Sequence, residues 1–124
     1  MSSKFVALIL LVVGVANLVP VVGVLSGAKL QQLYGMTIDA PNLLILMRHR
    51  AVLFGLLGGF ILASVFVPGW RMAAIFAALV SMLTFIALAY AQDGFNPAIR
   101  KVVMIDLVLS VALIPALVLE LRAD

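Results

Sequence analysis

The stretch NLLILMRHRAVLFGLLGGFILASVFV, residues 42–67, decides the fold. It is apolar and long enough to cross a bilayer core, which needs roughly 20 helical residues at 1.5 Å each. Its charges, Arg48 and Arg50 on either side of His49, sit near its start. Pro41 precedes it, where a first helical turn has no use for the missing N–H, and Pro68-Gly69 stops it with a tight turn. The same reading extends outward to three more spans, at about residues 5–26, 72–91 and 97–119. Asn96 before Pro97 has the chemistry of an N-cap. Only the connection from Gly27 to Ala40 is long. Within it Leu30, Leu33 and Tyr34 recur on one side while Lys29, Gln31 and Gln32 take the other, which predicts an interfacial amphipathic helix at about 28–34, or an amphipathic extension of the first span, capped by Gly35.

Composition agrees with this pattern. Of 124 residues, 66% are hydrophobic and 10% charged, against about 45–50% and about 25% in soluble domains. The expectation is a single domain, residues 1–124: an all-α integral membrane protein, built as an antiparallel up-down bundle of four transmembrane helices. With no cysteine and one histidine, thiolate metal sites, Fe–S clusters and poly-histidine centres are excluded; no metal and no cofactor is implied. The net charge of +3 reads as lipid-headgroup anchoring, not nucleic-acid binding. The first run is longer than the apolar segment of a secretion signal and is read as a retained helix. Five cations on the side of Lys29 and Arg100 against three on the side of Lys4 place the termini outside.

Polar residues inside apolar helices mark the candidate site. Asn17, Arg48, Thr84 and Asp106 all fall roughly 9–13 Å from one membrane surface. An ionised group at that depth must pair, protonate or face water, and Asp106 is the sharpest case. At 100° per residue Arg48 shares a stripe with Gly55 and Gly59, a GxxxG spacing that marks a close helix approach. This phase points Arg48 inward, toward Asp106, and sends Arg50 outward among Phe54, Leu57 and Ile61 to snorkel to the lipid surface. The predicted ligand-binding set is therefore Asn17, Arg48, His49, Thr84 and Asp106. A buried Arg48–Asp106 pair that only fixes helix register is the competing reading. Trp70 and Arg71 read as an interfacial pair.

Leu33-Tyr34-Gly35, followed by Asn42 to Gly59 with its early arginines and its Gly-Leu-Leu-Gly-Gly run, resembles small bacterial four-helix membrane proteins of the DoxX-like group. The resemblance implies a four-helix bundle in a bacterial inner membrane and carries no catalytic signature. Small multidrug exporters are excluded by the lack of an acidic residue in the first span. Fluoride channels are excluded by the lack of an arginine-bearing, glycine-rich first helix.

Three classes of function remain. The first is a binding protein for a lipid-like or quinone-like molecule, or an accessory subunit of a membrane complex. The second is a small intramembrane enzyme acting on an isoprenoid, sterol-like or phospholipid substrate, with Arg48 holding an oxygen and Asp106 or His49 moving a proton. The third is a transporter. The expected partners are a membrane lipid or hydrophobic small molecule, and a second copy or a larger membrane complex through small-residue faces, with no nucleic acid.

Overall fold

The computed structural model describes residues 2–24, 27–37, 40–92 and 94–123, and every regular element among them is helical. Helix α1 (Ser2–Leu18) continues as 3-10 turns over Val19–Val24; α2 (Gly27–Tyr34) is short; α3 (Pro41–Phe66), α4 (Arg71–Ala91) and α5 (Pro97–Ala123) are long. A 3-10 turn, Pro68–Trp70, joins α3 to α4. The expected turn at Asp93, the end of the first span at Ser26, and the side chains of Lys29, Leu30 and Leu33 lie outside the described residues.

Four helices are long and apolar enough to cross a membrane, and no more than 28% of the most apolar window of any of them is buried inside the protein. That uncovered apolar surface requires lipid, because helices satisfy their own backbone in hydrocarbon and leave only side chains to be solvated. The chain is a multi-pass integral membrane protein with an all-α four-helix bundle.

The ends of the helices have local causes. Ala40 is extended, Pro41 takes the first helical position, and the Leu44 N–H donates to the Ala40 carbonyl at 2.9 Å. Asn96 caps α5: its Oδ1 accepts from the Ile99 N–H at 2.8 Å and its carbonyl from the Arg100 N–H at 2.9 Å. Gly35 closes α2 in the left-handed region (φ 64°), where its N–H donates to the Gln31 carbonyl at 2.8 Å. Pro20 supplies no N–H to the turn before it, and there the chain tightens from α to 3-10 geometry.

Chain order is spatial order: α1 packs on α3, α3 on α4, α4 on α5, and α5 back on α1. Among the described residues, the backbones of α3 and α5 do not meet across the bundle. The tightest crossing is α1 with α3. A Cβ on Gly58 would lie 3.0 Å from the Gly14 carbonyl oxygen and 2.9 Å from Leu18; one on Gly14 would lie 2.8 Å from Leu62. This corrects the phase read from Gly55 and Gly59. Gly59 is exposed with nothing near it, and Gly55 has only ordinary clearance to Val21. In lipid a glycine carries no penalty for facing outward, so a GxxxG spacing alone does not say which way it points.

The main core joins Val6, Leu10 and Val13 of α1 to Ile61 of α3, Ala74, Ile75, Ala78 and Met82 of α4, and Leu113 and Ala116 of α5. It fills the half of the bundle where α1 begins and α5 ends. The other half is looser; there Tyr34 is buried against Leu43, Leu44 and Met47, apart from the main core.

Arg71 closes the filled end. Only 5% of it is exposed. Its Nε donates to the Ser64 carbonyl (3.2 Å), Nη2 to the Val65 carbonyl (2.7 Å), and Nη1 to the Ser3 hydroxyl (2.8 Å) and carbonyl (3.4 Å). The reason lies four residues after Ser64. Pro68 has no N–H to give that carbonyl, and a helix end leaves its last carbonyls without donors. The guanidinium fork supplies them and ties α3 to the start of α1. Trp70 stays exposed and lies against Phe60, with ring centroids 5.8 Å apart.

Candidate functional site

At the loose end, a cavity of 430 Å³ lies between α1, α3 and α5, with α2 across its membrane-surface side. Its polar lining comes from four elements: Asn17 of α1, Gln32 and Tyr34 of α2, Arg50 of α3, and Lys101 and Asp106 of α5. Ala16, Pro20, Phe54, Val102 and Leu109 supply much of the apolar wall. Two wall residues, Val19 and Ile105, are also largely exposed. They form an apolar rim where α1 and α5 meet lipid, while exposed Gln32 and Lys101 form a polar rim nearer the surface.

The sequence-predicted residues separate here. Asn17 and Asp106 line the cavity together. Asn17 is buried, and its amide donates back to the Val13 carbonyl at 2.8 Å. Arg48 and His49 are exposed and line no part of the cavity. Thr84 sits in a shallower groove between α3 and α4, beside Ser81, Phe85 and Leu88. Its hydroxyl is occupied by its own helix, 2.6 Å from the Val80 carbonyl and 3.1 Å from that of Ser81.

Arg50 is the residue whose position the sequence reading reversed. It lines both the cavity and the α3–α4 groove, and its guanidinium carbon lies 5.4 Å from the Tyr34 ring centre, 5.1 Å from Phe54 and 5.2 Å from Phe85. Three rings from α2, α3 and α4 hold the cation by their negative faces inside the bundle. The cation that shares the cavity with Asp106 is Arg50; Arg48 does not line it. The available signal was the aromatic pattern: Phe54 lies one turn after Arg50, and Tyr34 ends the amphipathic helix. Asp106, half-buried, accepts no hydrogen bond and makes no direct ion pair among the described residues. One turn further along α5, the buried Ser110 hydroxyl also has no partner among them.

The α2 cover is fastened from α5. The Asn96 amide, on the residue that caps α5, donates to the carbonyls of Tyr34 (2.8 Å) and Gly35 (3.2 Å). A Cβ on Gly35 would come within 3.0 Å of Ala98, so the junction requires glycine for space as well as for its φ. Burial pushes the Tyr34 phenol above its ordinary range, with Arg50 pulling the other way, so Tyr34 presents a neutral hydroxyl at neutral pH.

Among the described residues, no group of three or more His, Cys, Asp or Glu side chains is placed to hold a metal ion. Comparison of the chain with protein-family models, curated proteins and solved structures gave no match.

Proposed function

We propose that this chain is a membrane-embedded binding protein whose cavity takes the polar head of a lipid-like molecule while the apolar tail lies in the bilayer between α1 and α5. The observation that carries this reading is the cavity itself. It combines an apolar, lipid-facing rim at Val19 and Ile105 with convergent polar groups at Asn17, Tyr34, Arg50 and Asp106. Ligand sites are typically apolar pockets with a few placed polar groups, and a volume of 430 Å³ accommodates a head and the first carbons of a chain. An enzymatic role would ask more. Of the residues that reading needs, Asp106 lines the cavity, while Arg48, which would hold the reacting oxygen, and His49 lie outside it. The placement in a bacterial inner membrane and the DoxX-like kinship belong to the same proposal and rest on the sequence resemblance.

Native mass spectrometry of the full-length protein after gentle extraction tests it. The parent should retain a bound amphiphile, and Val102→Trp, which fills the cavity from α5, should release it while the protein stays folded. Retention of the same molecule by both Val102→Trp and Arg50→Ala would refute the reading.

A further inference from the structure

Building on that reading, we infer that the cavity is selective for a neutral lipid alcohol: a hydroxyl-bearing head that donates a hydrogen bond to Asp106, in preference to a quinone or a charged phospholipid. Two observations carry it. The first is the charge balance. The inner part of the cavity holds one cation, Arg50, and one carboxylate, Asp106, while Lys101 is exposed at the rim. A neutral head leaves that balance intact. An anionic or cationic head would add an uncompensated charge at membrane depth, where it is costly. An anionic head is better met by Lys101, in the headgroup layer.

The second is the missing donor. Arg50 is held among three rings without an ion pair to Asp106 among the described residues, and the Asn17 amide is turned back to Val13. Neither supplies a hydrogen bond to Asp106, which accepts none among the described residues. In its ionised form, balanced by Arg50 in the same cavity, the Asp106 carboxylate is an acceptor only, so the ligand atom beside it must carry a proton. A hydroxyl meets that need and still offers lone pairs to Arg50 or to the Tyr34 hydroxyl. A quinone carbonyl or an ether presents only acceptors and would set lone pair against lone pair. Sites built to hydrogen-bond a hydroxyl reject analogues without one far more strongly than apolar pockets reject a changed chain, because the polar group of the site is left unpaired.

The hydroxyl can come from an acylglycerol or from an isoprenoid alcohol, and the test separates the two. Monooleoylglycerol with its dimethyl ether, and farnesol with its methyl ether, are titrated into purified full-length protein alongside decyl-ubiquinone and phosphatidylglycerol, with occupancy read by native mass spectrometry. At least one alcohol should bind tenfold or more tightly than its own ether and than decyl-ubiquinone; which one does so identifies the chain. Asp106→Leu should bring the alcohol-to-ether ratio to about one. Asp106→Asn, which adds a donor at the same place, should also lower it, and it serves if the leucine variant does not fold.

Ethers or decyl-ubiquinone binding as tightly as the alcohols, tighter binding of phosphatidylglycerol, or a ratio unchanged in the Asp106 variants would overturn the inference. If the amphiphiles bind without discrimination and Val102→Trp still displaces them, only this inference falls. If none binds, the binding function falls with it.

Discussion

The bundle holds two arginines in two different states, one at each end. Arg71 is nearly fully buried and its guanidinium makes four hydrogen bonds, to Ser3, Ser64 and Val65. Arg50 sits among the rings of Tyr34, Phe54 and Phe85, bordered by a cavity on one side and a groove on the other. Among the described residues Arg50 makes no hydrogen bond to a backbone carbonyl. The first arginine completes a backbone that Pro68 left short of a donor; the second is held in place and left available. Intramembrane charge is expensive in either case. What separates a structural arginine from a candidate site is therefore how much of its donor capacity the protein itself uses.

The contrast is most directly attacked at Arg71. Arg71→Ala should destabilise the bundle by about 2–3 kcal/mol, since polar contacts in membrane proteins average about 0.6 kcal/mol each and charge strengthens them. Unfolding in mixed micelles measures this. Arg71→Lys should recover only part, because an ammonium cannot span carbonyls on α3 and the start of α1 at once. Amphiphile binding by whatever remains folded should be unchanged. If Arg71→Ala weakens binding as much as Arg50→Ala does, the two ends are not functionally distinct.

The filled half of the bundle should also be the half that does not tolerate added atoms. Gly58→Ala places a Cβ against the Gly14 carbonyl oxygen and Leu18, at a cost of about 1–3 kcal/mol for overpacking. Gly59→Ala, one residue along in open space, should be neutral or slightly stabilising by the same unfolding assay. Equal effects at the two positions would contradict the α1–α3 crossing.

The smallest expected change is at the cavity cover. Asn96→Ala removes the cap of α5 and both bonds to the end of α2, worth about 1–2 kcal/mol. Its more specific sign is local: amide hydrogen exchange should rise across Gly27–Gly35 with little change around Arg71. Uniform exchange throughout the chain would mean that α2 is not separately fastened.

Much of this was legible beforehand, for identifiable reasons. Span number and the caps at Pro41 and Asn96 follow from local chemistry, and counting residues from the helix ends brought Asn17 and Asp106 together, as the shared cavity does. The inward face of α3 was not legible. Arg48 and Arg50 are two residues apart, nearly opposite on the helix, and the leucines and glycines around them are equally at home against protein or lipid. The role of Arg71 was hidden for a different reason. It depends on carbonyls at Ser64 and Val65 and on Ser3, 68 residues away.

By itself, then, the sequence determined a four-helix membrane bundle, because crossing hydrocarbon constrains length, composition and helix termini strongly. Only the tertiary structure decided which arginine faces Asp106, where α1 and α3 touch, and that a cavity stands open beneath α2. Those choices turn on helix rotation. In a bilayer, rotation is set by the packing of Gly14 on Gly58 and of three rings on Arg50, since the hydrophobic contrast that orients helices in water is absent.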